Sequence, residues 1–169
     1  MTLYKNRYRI ESNRDQRHDY NGEFGATYFI TICTDNRRHY LGEIYNKSMH
    51  LSKIGNYLDE LIRNIGQYYD YAQIPNYEIM PNHVHFILKI DWHKSNLVDD
   101  DRNPMKNKTV GTVVRGLKAR VTKFANDNNL LFKWEKNYYD EIIWKDADLQ
   151  NVIEYINDNV KNWKERHLF

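Results

Sequence analysis

The run MPNHVHFIL, residues 80–88, restricts the fold more than any other stretch of the chain. Val84, Phe86, Ile87 and Leu88 are β-branched, aromatic or aliphatic, as in a buried strand. Successive strand side chains alternate faces, so His83 and His85 share one face with Cα atoms roughly 7 Å apart. Two imidazoles with overlapping reach can share a metal ion, or they can be half-buried histidines bonded to backbone. A second strand-like run, residues 71–80, precedes this one, and Pro81 punctuates the pair.

The remaining pattern alternates strands and helices. Alternation predicts a strand over residues 26–34, and residues 37–45 and 49–51 suggest a turn with short strand pieces. Ser52 then caps a helix with the apolar stripe Ile54, Leu58, Leu61, Ile62 and Ile65. A second helix carries Val110, Val113, Val114, Leu117, Val121 and Phe124 on one face. Residues 133–144 read as an extended segment ending in a strand. Asp146 is the expected N-cap of a last helix, with Leu149, Val152, Ile153, Ile156, Val160 and Trp163 as its stripe. These elements predict an α+β fold, a sheet with helices on one side. A basic, tyrosine-dotted arm is expected over residues 1–22 and a mobile loop over 92–109, within a single domain spanning 1–169.

Composition narrows the function classes. With 41% hydrophobic and 14% aromatic residues, the chain can bury one real core. The lone cysteine, Cys33, rules out a disulfide framework and suits a reducing cytoplasm. No apolar run approaches membrane-spanning length, and the N-terminal residues have no signal-peptide pattern. Net charge is only +2, so affinity for nucleic acid must come from local patches. One such patch is the acid-free stretch 105–126, which contains Lys106, Lys108, Arg115, Lys118, Arg120 and Lys123, all avoiding the apolar stripe. The arm adds Lys5, Arg7, Arg9, Arg14 and Arg17 among Tyr4, Tyr8 and Tyr20. Cations that meet phosphates, with aromatics that stack on unpaired bases, suit single-stranded or hairpin nucleic acid. A basic helix face can also be a merely solvated face.

A catalytic metal centre needs a third ligand and a reacting group. In EYINDNV, Tyr155 and Asn159 are four residues apart and lie one above the other at the edge of the last helix's stripe. An asparagine carbonyl can ligate a divalent cation and a tyrosine phenol can be a nucleophile. Both are equally compatible with a solvated helix edge in a chain of fourteen tyrosines.

Taken in order, ATYFITICTDNRRHYLGEI, MPNHVHFIL, GTVVRGLKARVTKFAN, WEKNYYDEII and LQNVIEYINDN resemble the single-tyrosine transposases of the HUH class, in particular the REP-associated tyrosine transposases of bacterial chromosomes. The resemblance runs from about residue 17 to 163. It implies a central antiparallel sheet in a ferredoxin-like or RRM-like HUH endonuclease arrangement. It also implies that His83, His85 and Asn159 hold a divalent metal, Mg²⁺ or Mn²⁺, and that Tyr155 is the nucleophile. The implied activity is a metal-dependent single-stranded DNA endonuclease and strand transferase that cuts near hairpins of palindromic repeats through a 5′-phosphotyrosine. Arg115, Lys118, Arg120, Lys123, Arg14 and Arg17 are the expected DNA contacts, in a bacterial, nucleoid-associated monomer or homodimer. The alternatives are a hairpin-binding derivative that no longer cuts and an RNA-binding module on a similar sheet. The chain departs from the family at Val160, where many relatives have proline, and over residues 141–144, Glu-Ile-Ile-Trp, where relatives often carry His and Arg. Without that proline the last helix is expected to run on towards Trp163.

Overall fold

The computed structural model describes residues 26–91 and 109–163, with the backbone alone of residues 2–4 and 7–9. The expected arm, with Arg14 and Arg17, and the expected loop therefore lie outside the described residues. The exceptions are two short paired strands, β1 (Thr2–Tyr4) and β2 (Arg7–Arg9), and the capping residue Thr109.

The chain then runs through β3 (Ala26–Cys33), a short turn of 3₁₀ helix at Asp35–Arg37, and the hairpin β4 (Gly42–Tyr45) and β5 (Ser48–Leu51). Asn46 and Lys47 join that hairpin with φ of 50° and 59°, the left-handed pair that a two-residue hairpin loop requires. Next come α1 (Lys53–Arg63), the single turn α2 (Ile65–Tyr68), β6 (Ala72–Met80), β7 (His83–Ile90), α3 (Val110–Asp127), β8 (Tyr139–Ile142) and α4 (Asp146–Asp158).

Four strands form the central sheet in the order β6-β7-β3-β8, with every neighbouring pair antiparallel. Pro75 falls where the β6–β7 register shifts, on an edge strand, where a missing N–H costs no ladder bond. The sheet's two faces differ sharply. Tyr28, Ile30 and Ile32 of β3 and Val84, Phe86, Leu88 and Ile90 of β7 point to one face and are almost fully buried. Ile54, Leu58, Leu61 and Ile62 of α1 and Val113, Val114, Leu117 and Val121 of α3 close over them. Each such side chain contributes roughly 1.5–3 kcal/mol of burial, so this layer supplies most of the stability. Ser52 and Thr109 start the two helices as caps, their hydroxyls accepting from Gly55 N–H at 3.0 Å and Thr112 N–H at 3.2 Å.

Helices on one side of the sheet, as the sequence pattern suggested, describe α1 and α3 but not α4. Tyr155 of α4 meets Phe29 and His85, which alternation turns away from the α1–α3 layer. Of α4's expected stripe only Ile156 is fully buried, so this helix sits lightly on the second face. Its cap position is Lys145, not Asp146; Asp146 and Asp148 lie in the first turn, where their charges favour the exposed amides.

Candidate active site

The site lies on the second face, over the start of β7. The antiparallel register fixes its floor: Cys33 lies opposite His83, Thr31 opposite His85 and Phe29 opposite Ile87. The imidazoles of His83 and His85 lie 4.4 Å apart, centroid to centroid. His85 is only 5% exposed, stacked on Phe29 at 5.4 Å. The Tyr155 ring stands 5.4 Å from His85 and 6.0 Å from Phe29, edge to face in both cases. Tyr155 remains 51% exposed while its ring rests on Phe29 and His85.

Both histidines are held from behind. The Asn82 carboxamide oxygen lies 2.6 Å from His83 Nδ1. That oxygen only accepts, so Nδ1 carries the hydrogen and Nε2 keeps its lone pair. The Thr31 hydroxyl lies 2.7 Å from His85 Nδ1 and can take the same hydrogen. Burial first, and then the nearby charge of Arg37, holds the His83 imidazole down to about 4. A neutral ring with its outer nitrogen available is the form a cation needs.

Asn159 follows α4 with helical dihedrals, φ −60° and ψ −44°. Helix-like bonds continue beyond it, from Asn162 N–H to Asp158 O at 3.0 Å and from Trp163 N–H to Val160 O at 3.3 Å. The run-on expected from the missing proline thus exists, as looser turns. Tyr155 touches His85 and Trp163 lies 6.3 Å from His83, with Asn159 four residues from each along the chain. Its Nδ2 is buried without a hydrogen-bond partner. Reversing the amide would bring the carbonyl oxygen to that position, the atom that suits a cation. Among the described residues, no three of His, Cys, Asp and Glu converge closely enough to hold a metal.

Several neighbours escaped the sequence reading. Thr31 and Asn82 brace the histidines, and Glu78 of β6 lies directly opposite His85, its carboxyl pushed above the usual range by burial. Asn82 is visible in sequence as the residue before His83. Thr31 and Glu78 become apparent only once the strand register is known.

The basic residues of α3 are not brought to this site, because α3 packs on the opposite face of the sheet. Nor do they form one exposed face. Lys118 turns inward and donates to the carbonyls of Glu135 at 2.7 Å and Lys136 at 3.2 Å, and burial lowers its ammonium below the usual range. Arg120 donates to the Tyr69 hydroxyl at 3.0 Å and lies 4.4 Å over the Tyr68 ring. Lys123 is exposed but paired with Asp127 at 2.7 Å. Arg115 is exposed at the β8 side, near Tyr138. Length and amphipathic pattern could not foretell these local partners, which come from the segments around 69 and 135.

No family model matches the chain. The solved structure of a REP-associated tyrosine transposase bound to a REP hairpin aligns with 98% of this chain and 77% of that one, at a TM-score of 0.56 and 20% identity. At that identity the shared property is the fold, an α+β transposase fold with helices packed on a four-stranded antiparallel sheet. A Haemophilus influenzae protein known only as an uncharacterized protein is 35% identical over 159 residues, covering 89% of this chain and 88% of its own length. The chain belongs to the same protein family as that Haemophilus influenzae protein.

Proposed function

We propose that the protein is a tyrosine nuclease and strand transferase acting on single-stranded DNA beside a hairpin, a transposase-type activity. The observation that carries this reading is the meeting of Tyr155 with His85, 5.4 Å apart, and of His85 with His83, 4.4 Å apart, on one accessible face of the sheet. A further support is that the fold is shared with a transposase whose solved structure contains a REP hairpin.

In this reading His83, His85 and the amide oxygen of Asn159 are the residues that would hold a divalent cation, Mg²⁺ or Mn²⁺. When bound, that ion supplies positive charge against the phosphate oxygens. Imidazole donors favour Mn²⁺ over Mg²⁺. The chain's own residues do the rest. Asn82 and Thr31 keep Nδ1 of both histidines occupied and so keep Nε2 directed outward. Phe29 and His85 seat the Tyr155 ring, which keeps half of its surface open to solvent. The Tyr155 oxygen attacks phosphorus and the bond from phosphorus to the 3′ oxygen breaks. The phenol proton passes to water, and the departing 3′ oxygen takes up a proton. A second 3′-hydroxyl reverses the step without ATP, because the phosphotyrosine conserves the phosphodiester's energy.

The test uses single-stranded oligonucleotides carrying the palindromes that flank the gene, with and without Mn²⁺, on a denaturing gel. A DNA adduct that Tyr155→Phe abolishes, while hairpin binding persists, is the expected result. Tight hairpin binding with no adduct from the wild-type protein would instead make it a hairpin binder that does not cut.

A further inference from the structure

One strongly charged and aromatic surface adjoins the site without belonging to it: the turn from Thr34 to Tyr40 together with Trp163. This turn is anchored rather than loose. Thr34 is fully buried, its N–H donates to the Asn82 carbonyl at 3.0 Å, and its hydroxyl lies 2.6 Å from the Arg38 carbonyl. Farther along, Leu41 N–H donates to the Pro81 carbonyl at 3.1 Å. The turn is thereby bolted at both ends to the Pro81–Asn82 corner from which His83 emerges. Asn36 and Arg37 hold left-handed φ of 51° and 56°, a conformation that costs a non-glycine residue roughly 1–2 kcal/mol. The result is an exposed sequence Arg37-Arg38-His39 at the edge of the histidine pair.

Arg38 leans towards the Tyr40 hydroxyl at 3.5 Å, whereas among the described residues Arg37 has no acidic partner. The Arg37 N–H donates to the Thr34 carbonyl at 3.2 Å, and Thr34 is bonded in turn to Asn82, the residue before His83. The Trp163 ring, partly exposed, lies 5.9 Å from His39 of the turn and 6.3 Å from His83. An exposed guanidinium on the same turn as His39, whose ring faces the Trp163 indole, brings together the chemistry of a nucleotide holder: cation for phosphate, flat ring for base.

We propose that Arg37 and Trp163 form a subsite for the single-stranded nucleotide next to the scissile phosphate, Arg37 holding a neighbouring phosphate oxygen and Trp163 stacking on the base. The subsite rests on the reading of this face as a DNA-cleaving one. It makes Arg37 and Trp163 positioning residues, setting which unpaired base enters beside the phosphate that Tyr155 attacks.

The experiment measures binding of the full chain to a labelled hairpin oligonucleotide with single-stranded flanks, for wild type, Arg37→Gln, Trp163→Ala and Trp163→Phe. Each is tested on normal DNA and on versions with one flank position abasic, and adduct formation is read in parallel. The expected result is about 5- to 10-fold weaker binding for Arg37→Gln and Trp163→Ala, with Trp163→Phe near wild type. One abasic position should weaken wild type by a similar factor and leave Trp163→Ala unchanged. Abasic losses equal in wild type and Trp163→Ala at every position would overturn the subsite, as would wild-type affinity in both alanine and glutamine variants. If Trp163→Ala does not fold, the Arg37→Gln and Trp163→Phe arms with the abasic series decide alone. Binding that shows the coupling but yields no adduct supports the subsite and removes the nuclease reading; no binding to any single-stranded hairpin DNA removes both.

Discussion

Protonating His83 works against folding, and the size of that effect can be worked out. The ring lies under Trp163, next to His85, with its Nδ1 hydrogen on Asn82 and the Arg37 charge nearby. Burial and that charge lower it from the usual 6.5 to about 4. The unfolded chain therefore takes up a proton between pH 6.5 and 4 that the folded chain refuses, so stability falls as pH falls through this window. At pH 7.5 both states are neutral and nothing is lost. At pH 5 the unfolded ring is almost fully charged and the folded one almost fully neutral, a difference of about 2 kcal/mol, levelling at about 3 kcal/mol below pH 4. The assay is urea unfolding at pH 7.5 and pH 5.0 in the presence of EDTA, comparing wild type with His83→Gln, which cannot titrate. Wild type should lose about 2 kcal/mol more than the variant between the two pH values. Equal losses, within about 0.5 kcal/mol, would mean that His83 is open to water and that the enclosed geometry argued for it is wrong.

Three further outcomes follow from specific contacts. Lys118→Met should cost about 1–2 kcal/mol in urea unfolding by leaving the Glu135 and Lys136 carbonyls without their donor, and should leave the salt dependence of DNA binding unchanged. Gly55→Ala should destabilise by at least about 2 kcal/mol, because a Cβ there runs into the backbone carbonyl of Leu41, which cannot swing aside; thermal melting checks it. Thr31→Val should weaken Mn²⁺ binding about 10-fold in calorimetric titration and cost about 1–3 kcal/mol in unfolding, since it keeps the shape but removes the hydroxyl bonded to the buried His85 Nδ1.

Periodicity revealed what depends on local pattern. The α1 and α3 stripes are buried nearly residue for residue, Ser52 caps as expected, and His83 and His85 share a face because strand alternation admits no other arrangement. What periodicity cannot carry is which face of a sheet a helix chooses. The α4 stripe is as regular as the others, yet only Ile156 is fully covered, because the second face also carries polar residues: Thr31, His85, Glu78 and Asn76. For the same reason the basic residues of α3 read in sequence as one exposed face while Lys118 and Arg120 are spent on local partners. Thr31 and Glu78 were invisible for a different cause, since each acquires its relation to His85 only through strand pairing at long range.

The unequal faces bear directly on how such a site can work. A histidine pair held in fixed relation needs a rigid floor, and β7 provides it because its alternate residues are locked into the α1–α3 core. In the proposed reaction the tyrosine needs room for a bulky phosphate, and α4 leaves it because this helix is attached through Ile156, the Tyr155 ring and the Asn76–Asn157 hydrogen bond at 3.3 Å. Were α4 packed as deeply as α3, Tyr155 would lose the half of its surface that faces solvent, and the phenol would be closed to substrate. A weakly held helix on a strongly held strand separates the two requirements: the histidines need order and the tyrosine needs access. The same separation implies that destabilising changes in α4 should alter DNA attachment well before they lower global stability, because little of the core depends on that helix.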